Sequence, residues 1–163
     1  MEGGQEMTHV LIVYHSQSGN TEKMARLIAE GVKEENISVE LKNVKDASIN
    51  DLLNAQGVII GSPTYFGTMA AEIKSFLDES VKYFGKLKGK VGAAFSSSAL
   101  VGGGNETTVL SILQALLIHG MIIQGETEGG HYGPVAIGAP DTRGSEECRQ
   151  LGRKVARLVK KVG

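Results

Sequence analysis

A polar segment from His15 to Thr21 carries the clearest chemistry in the sequence. It is rich in hydroxyl, amide and glycine groups, and it lies between an apolar run and a helical pattern. The free backbone N–H groups and the positive dipole at the start of such a helix favour an anion, such as a phosphate. Because the segment contains no Lys or Arg, neutral donors would hold that phosphate. A plain polar turn that caps the helix is the alternative interpretation.

Two further segments could contact a planar ring. Residues 62–67 contain the adjacent aromatics Tyr65 and Phe66, in a chain with only four Tyr, four Phe and no Trp. Residues 96–105 have mostly small side chains, which leave backbone polar groups accessible to a ligand. The alternatives are aromatics that pack on the next helix and, for residues 96–105, a flexible connection.

Other nucleotide and phosphoryl motifs are excluded. Residues 85–90, GKLKGK, are one residue short of the Walker spacing and precede an apolar run instead of a helix. No GxGxxG follows the first apolar run, and His15 and Ser16 stand where a receiver domain needs acidic metal ligands.

The elements that must position these segments alternate between two periodicities. Continuous apolar runs and one alternating run predict five strands, at residues 10–14, 37–42, 58–61, 90–95 and 121–123. Apolar stripes predict helices through residues 24–32, 69–77, 109–117 and 151–159, with Asn20 or Thr21 and Asn105 as caps. This order predicts a parallel sheet with helices on both faces, and the alternating run at 37–42 suits an edge. Ligands bind beyond the carboxyl ends of such strands, so the three segments should form one pocket for a phosphorylated planar molecule.

Composition narrows the class of protein. The 163 residues predict one domain over 1–163, with a polar N-terminal extension at 1–7. A net charge of −1 provides no field that would attract nucleic acid or an anionic membrane, and no apolar run is long enough to span a membrane. The single cysteine, Cys148, excludes a disulfide framework and a cysteine-ligated metal centre. We therefore expect no metal and a reducing compartment, the cytoplasm.

Three stretches carry a family resemblance: residues 62–67 (SPTYFG), residues 95–98 (FSSS) with 102–108 (GGGNETT), and residues 117–121 (LIHGM). In these stretches the chain resembles the flavodoxin-like superfamily, and within it the FMN-dependent NAD(P)H:quinone oxidoreductases of the Trp-repressor-binding-protein type. The resemblance covers nearly the whole chain, although the chain is shorter than a typical member.

The resemblance implies a flavodoxin-like α/β sandwich, in which a five-stranded parallel sheet of order 2-1-3-4-5 lies between two helical layers. It implies FMN as cofactor, with NADH or NADPH as electron donor, and a dimer or tetramer of identical chains. FMN would contact the first segment through its phosphate and the next two through its ring. The implied cofactor-binding residues are Ser16, Gln17, Ser18, Gly19, Asn20, Thr21, Pro63, Thr64, Tyr65, Phe66, Gly67, Ser97, Ser98, Ala99, Gly102 and His131.

Two histidines have open roles. The resemblance places His119 near the reacting part of the flavin, where an imidazole could orient a quinone oxygen or supply a proton. The alternative is a dipole partner, because His119 and Gly120 end a predicted helix. His131 could contact flavin or substrate, or lie on a solvent-exposed loop, whereas His9 and His15 are expected to be structural.

Three functions remain open. The first is an enzyme in which FMN passes electrons from NADH or NADPH to a quinone-like acceptor. The second is a one-electron carrier that docks on redox proteins; such carriers show a strongly acidic surface, which a net charge of −1 disfavours. The third is a non-catalytic FMN-binding module.

Overall fold

The computed structural model describes residues 9–163, so the predicted extension at 1–7 lies outside the described residues. Its strands are β1 (His9–Tyr14), β2 (Ser38–Asn43), β3 (Gly57–Tyr65), β4 (Thr68–Met69), β5 (Val91–Ser98) and β6 (Val135–Ile137). Its α-helices are α1 (Asn20–Glu34), α2 (Asp51–Asn54), α3 (Ala71–Glu79), α4 (Asn105–Ile118) and α5 (Thr142–Val162). A 3₁₀ helix, Ser80–Tyr83, extends α3.

Five parallel strands form the sheet in the order β2-β1-β3-β5-β6. This is the predicted order 2-1-3-4-5 when only the parallel strands are counted, so the fold prediction is confirmed. The short β4 pairs antiparallel with the end of β3 and was not predicted. As expected from its alternating pattern, β2 lies at one edge of the sheet.

Two apolar cores lie on opposite faces of the sheet, because successive strand residues point to opposite sides. One core joins Ile12, Ile59 and Phe95 to buried residues of α1 and α5. The other joins Leu11 and Ile60 to buried residues of α3 and α4. Because the five strands are parallel, their carboxyl ends lie at the same end of the sheet, which we call the carboxyl edge; the end with their amino termini is the amino edge.

Two predicted strands differ in the structure. The predicted fifth strand at 121–123 makes only a single parallel bridge, between Ile122 and Val91, and the strand proper is β6. The chain leaves the sheet after Ile122 and returns at Val135, opposite Ser96. The place of the last strand, beside β5, is therefore occupied by two separate segments, the bridge at Ile122 and β6. The third strand continues beyond residue 61 through Tyr65, because its pairing with β5 extends as far as Pro63 and Ser97.

Candidate functional site

The first polar segment leads directly into α1. The residue before the helix is Gly19, in the left-handed region with φ 94°, so the prediction of Asn20 or Thr21 as cap was wrong. The Ser16 hydroxyl oxygen accepts hydrogen bonds from the backbone N–H groups of Gly19 (3.1 Å) and Glu22 (3.3 Å). Ser16 therefore closes the turn, and its own hydroxyl proton is not used by either bond.

Five backbone donors of this segment have no acceptor among the described residues: the N–H groups of Ser16, Gln17, Ser18, Asn20 and Thr21. They lie at the positive end of the α1 dipole, and Gln17 and Ser18 are exposed to solvent. Such a set of uncharged donors fits a phosphate group, in agreement with the prediction from the loop composition.

Thr21 uses its side chain differently from the prediction. It is 1% exposed, and its hydroxyl oxygen lies 2.8 Å from that of Ser97, which is 5% exposed. The hydroxyl thus points into the interior and ties α1 to the end of β5. Of its polar groups, only the Thr21 backbone N–H is left for a ligand, because the hydroxyl is buried and already paired.

The second segment forms a β-hairpin. Its turn, Phe66–Gly67, joins β3 to β4 with φ 49° and 83°, and the Phe66 side chain is fully exposed. Tyr65, by contrast, is anchored: its hydroxyl donates to Gln17 Oε1 (2.9 Å), and its ring makes an edge contact with His15, centroid to centroid 6.1 Å. One aromatic residue is therefore held by the first segment and the other is open.

The ionisable groups beside this hairpin favour a protonated tyrosine. Burial, and then the Glu72 carboxylate, raise the pKa of Tyr65 above its ordinary value. The His15 Nε2 atom lies 3.7 Å from a Glu72 carboxylate oxygen. The Tyr65 hydroxyl thus keeps its proton at neutral pH and can donate to Gln17.

A row of hydroxyl groups connects the hairpin to β5 and α4. Thr64 Oγ1 lies 3.0 Å from Ser96 Oγ, which donates to the Ser62 carbonyl (2.8 Å). The Thr108 hydroxyl, on α4, lies 3.2 Å from Thr64 Oγ1 and 2.8 Å from the Gly104 carbonyl. The resemblance included Thr108 in the stretch 102–108 but gave it no role, because a threonine in a helix gives no signal of a partner 44 residues away.

Gly104 marks the closest approach of the hairpin to α4. It precedes the helix with φ 103°, and a Cβ there would lie 2.9 Å from the Gly67 Cα. The predicted cap Asn105 is instead the first helical residue, and its amide donates to Ser98 Oγ (3.0 Å). Ser98 in turn donates to the Leu100 carbonyl (3.0 Å), so the third segment is folded back on its own strand.

Exposed apolar residues lie at the tip of the third segment. Leu100 and Val101 are 70% and 84% exposed, next to the exposed residues Ala99 and Gly102. Most of the surface of these two side chains is therefore open to solvent among the described residues.

The three segments meet at the carboxyl edge, as predicted. Gln17 contacts Tyr65, Thr21 contacts Ser97, and the Thr64 hydroxyl oxygen lies 3.0 Å from that of Ser96. Each pair of segments is thus joined by at least one hydrogen bond. The result is a rim with unpaired neutral donors on one side and exposed apolar side chains on the other.

His119 does not belong to this rim, and the prediction that it lies near the reacting part of a flavin is corrected. Helix α4 starts at the carboxyl edge and runs back for about 20 Å, at 1.5 Å per residue, so His119 lies at the amino edge. There its Nε2 atom lies 2.8 Å from Ser80 Oγ, and His119 as a whole residue is 7% exposed.

His131 lies on the segment that connects Ile122 to β6. It is exposed, and its Nδ1 atom is 2.8 Å from the Glu126 carbonyl oxygen. No described contact links its side chain to the three segments of the rim, so its role as a cofactor ligand stays a prediction.

Comparison with known proteins identifies the family. The flavodoxin family profile matches residues 12–116, which include all three segments and all of α3. The chain belongs to the flavodoxin family. This confirms the resemblance seen in the sequence, and the family implies FMN, which the donor set at the start of α1 fits.

Similar proteins carry two different names. A flavodoxin of Aquifex aeolicus (strain VF5) is 41% identical over 162 aligned positions, which cover 94% of this chain and 88% of the relative. An NAD(P)H dehydrogenase (quinone) of Archaeoglobus fulgidus is 32% identical over 190 aligned positions, covering 96% of this chain and all of the relative. The second alignment is longer than this chain of 163 residues, so that relative contains segments absent here.

A solved structure shows the same architecture. The flavodoxin, WrbA-like protein from Agrobacterium tumefaciens superposes with a TM-score of 0.82 at 27% identity, covering 96% of this chain and 99% of the other. Within residues 9–163, no helix combines the length and the apolarity needed to cross a membrane.

Proposed function

We propose that the protein binds FMN at the carboxyl edge and passes electrons from NADH or NADPH to a quinone-like acceptor. The observation that carries the cofactor is the group of unpaired backbone donors at residues 16–21, beside the free hydroxyl proton of Ser16. A phosphate bound there is held by uncharged groups and by the α1 dipole. The side chains of Ser18 and Asn20 add further donors.

The other two segments flank the ring. Phe66 on one side and Leu100 with Val101 on the other expose apolar surface that a flat ring would cover, which is favourable by about 25 cal/mol per Å². Residues 63–67 would contact one side of the ring, and Ser97, Ser98, Ala99 and Gly102 the other. FMN supplies the hydride and electron chemistry, while the protein supplies binding and orientation. Tyr65 would hold the Gln17 side chain in place through its hydroxyl hydrogen bond.

Two observations support a reductase. The net charge of −1 lacks the acidic field by which carriers are steered to redox proteins. The exposed apolar residues beside the ring site would also suit an uncharged acceptor ring. Since Cys148 is the only cysteine and is buried, we place this reaction in a reducing compartment, the cytoplasm.

A flavodoxin-type electron carrier is the second candidate. It is favoured by length: a flavodoxin of Clostridium saccharobutylicum, 36% identical, aligns over 159 positions that cover 94% of this chain of 163 residues and 98% of the relative. An NAD(P)H dehydrogenase (quinone) of Bradyrhizobium diazoefficiens, by contrast, aligns over 197 positions. The extra segments of that relative have no counterpart here, and a smaller protein that only exchanges electrons would not need them.

An anaerobic titration of the FMN-loaded protein separates these candidates. Loss of the flavin absorbance with NADH or NADPH, reversed by benzoquinone, would support the reductase. If neither nicotinamide reduces the flavin, but dithionite produces a stable one-electron-reduced form, the protein is a carrier. Purified protein that neither contains FMN nor takes it up would contradict both candidates.

A further inference from the structure

Three exposed lysines lie close together in the chain at the amino edge. They are Lys82, in the 3₁₀ helix, and Lys86 and Lys88, in the segment that leads from this helix into β5. None of the three forms an ion pair with a described residue. Lysines in the last turn of a helix commonly interact with its dipole, but Lys86 and Lys88 lie beyond the helix. Their charges are therefore not explained by the fold.

The segment that carries these lysines is fixed to the rest of the molecule. Leu87, in its middle, is fully buried in the core that α3 and α4 cover. The Gly89 N–H donates to the Gly120 carbonyl (3.0 Å), and the Lys86 N–H donates to the Tyr83 carbonyl (2.9 Å). Because the backbone is ordered before a ligand arrives, binding to its side chains does not have to order it.

Large apolar side chains are exposed next to the lysines. Val81, Phe84 and Ile118 are 70%, 64% and 71% exposed. They lie along a groove of about 530 Å³ between α3, the 3₁₀ helix and the second half of α4. The Lys88 side chain lies beside Gly120, two residues after Ile118. The three lysines and the three apolar residues therefore form one surface, which we call the basic patch.

Acidic groups on the neighbouring helices do not cancel the charge of the basic patch. On α4, no Asp, Glu, Lys or Arg occurs between Glu106 and Glu126, so the face of this helix at the amino edge is uncharged. On α3, the Asp78 carboxylate is paired with the Lys74 ammonium (2.6 Å), and Glu79 lines a different groove on the β2 side of the helix. The net charge of −1 is a sum over the whole chain. Because salt limits the reach of a charge to about 8–10 Å, the local excess of lysines decides what the patch attracts.

The composition of the basic patch favours a lipid surface over other anionic partners. The patch contains no arginine, and the chain has none between Arg26 and Arg143. Arginine recognises carboxylates, phosphates and bases with directed pairs of hydrogen bonds, whereas lysine acts as a point charge. Point charges beside exposed apolar side chains match the two layers of a phospholipid surface, the anionic headgroups and the acyl chains below them.

We propose that the basic patch binds anionic phospholipid at a membrane surface. The lysines contact the headgroups, and Val81, Phe84 and Ile118 reach the start of the acyl layer, so the protein lies on the membrane without crossing it. Helices α3 and α4 both end beside the patch. The carboxyl edge therefore faces away from the membrane, and the proposal does not depend on FMN.

Cosedimentation of the full chain with vesicles tests the proposal. We expect binding to vesicles of equal parts phosphatidylglycerol and phosphatidylcholine, and none to phosphatidylcholine alone. The double variant Lys86→Gln, Lys88→Gln should lose affinity for the anionic vesicles by about fivefold for each lysine. Lys23→Gln, Lys45→Gln is the matched control, because it changes the net charge equally at the carboxyl edge and should bind as wild type does.

Three outcomes would overturn the proposal, provided that circular dichroism shows both double variants to be folded. They are no binding of wild type to the anionic vesicles, equal binding to both kinds of vesicle, and equal losses in the two double variants. If wild type binds single-stranded DNA instead, and only the Lys86→Gln, Lys88→Gln variant loses that binding, the patch is a nucleic-acid site and the proposal is wrong.

A fluorescent reporter tests which end of the molecule meets the lipid. The chain contains no tryptophan, so Phe84→Trp introduces a single one. Its emission should shift to shorter wavelength with the anionic vesicles, because the ring passes from water into apolar surroundings. Phe66→Trp, at the carboxyl edge, should keep its emission wavelength. A vesicle-bound Phe84→Trp protein without a shift, or a shift in Phe66→Trp, would contradict the proposed orientation.

Discussion

The carboxyl edge and the amino edge of the sheet are built from the same strands and helices, but they differ in which groups lack a hydrogen-bond partner or are exposed to solvent. At the carboxyl edge, five backbone N–H groups at residues 16–21 have no described acceptor, and Phe66, Leu100 and Val101 expose apolar surface beside them. At the amino edge, the segment before β5 and the segment after α4 are joined by backbone hydrogen bonds such as Gly89 N–H to the Gly120 carbonyl (3.0 Å). What is unsatisfied there is a set of side chains: Val81, Phe84, Ile118 and the buried Nδ1 of His119.

This difference indicates two kinds of ligand. Unpaired backbone donors at the start of a helix suit a small anion, because they are fixed in space before the ligand arrives. Exposed apolar side chains offer no fixed donor to an anion and would favour an apolar ligand instead. The two surfaces lie at opposite ends of α4.

The largest expected effect comes from adding a negative charge to the carboxyl edge. Ser18→Asp places a carboxylate beside the proposed phosphate position, where like charges repel. We expect FMN affinity to fall by about 100-fold or more, equal to about 2.7 kcal/mol. The measurement is quenching of FMN fluorescence on titration with apoprotein. Thr127→Asp, on an exposed segment elsewhere, is the control and should bind FMN as wild type does. Equal affinities of the two variants would show that the phosphate lies elsewhere.

The buried hydroxyl pair provides the next largest effect. Thr21→Val keeps the shape of the side chain but leaves the Ser97 hydroxyl without its partner. We expect the free energy of unfolding of the apoprotein to fall by about 1–3 kcal/mol in urea. Adding Ser97→Ala should recover part of that loss, because no hydroxyl is then left unpaired. Strictly additive losses in the double variant would mean that the two groups do not interact in solution.

A comparison of two glycine substitutions measures the effect of the close contact between the hairpin and α4. Gly104 and Gly138 both have positive φ, 103° and 68°, but only at Gly104 would a Cβ meet another residue. Gly138→Ala should therefore lose only the backbone term of about 1 kcal/mol. Gly104→Ala should lose about 1 kcal/mol more from the overlap with Gly67 and should also weaken FMN binding. Equal stabilities and equal FMN affinities would mean that the hairpin does not rest on α4.

The smallest effect concerns the amino edge and depends on pH. Burial lowers the pKa of His119 below its ordinary value, so the unfolded chain binds its proton more readily than the folded protein does. His119 thus contributes its full stability above the unfolded pKa of about 6.5, and this contribution is lost as the pH falls below that value. Between pH 8 and pH 5, the free energy of unfolding should fall more for wild type than for His119→Gln. Identical pH dependence would mean that the imidazole is accessible to water.

Local patterns predicted the elements and most of the carboxyl edge. The alternating and continuous apolar runs predicted most of the strands and the edge position of β2, because periodicity depends on neighbours within a few residues, whereas the strand order came from the family resemblance. The hydroxyl and glycine residues at 15–21 predicted an anion site, which stays a prediction. Helix ends were less well predicted. Asn20 and Asn105 are of a residue type that commonly caps helices, but the cap positions belong to the preceding residues, Gly19 and Gly104, because glycine adopts the left-handed conformation at a lower energetic cost.

His119 shows why part of the site escaped prediction. A sequence motif gives residue types but not the direction in which a helix runs. His119, 14 residues beyond Asn105, was therefore assigned to the carboxyl edge, where α4 begins, although the helix ends at the amino edge. The partners of Thr21, Tyr65 and Thr108 lie 76, 48 and 44 positions away, and no pattern in the sequence connects them.

The sequence by itself determined the alternation of strands and helices, the family, and the neutral donors of the first segment, because these follow from local periodicity and composition. Only the tertiary structure decided that the Thr21 hydroxyl points inward and that His119 lies at the far edge. It also decided that the uncharged face of α4 continues into a groove lined by Val81 and Phe84. Those outcomes depend on how parallel strands and antiparallel helices are stacked, and residues distant in sequence meet only after that stacking is complete.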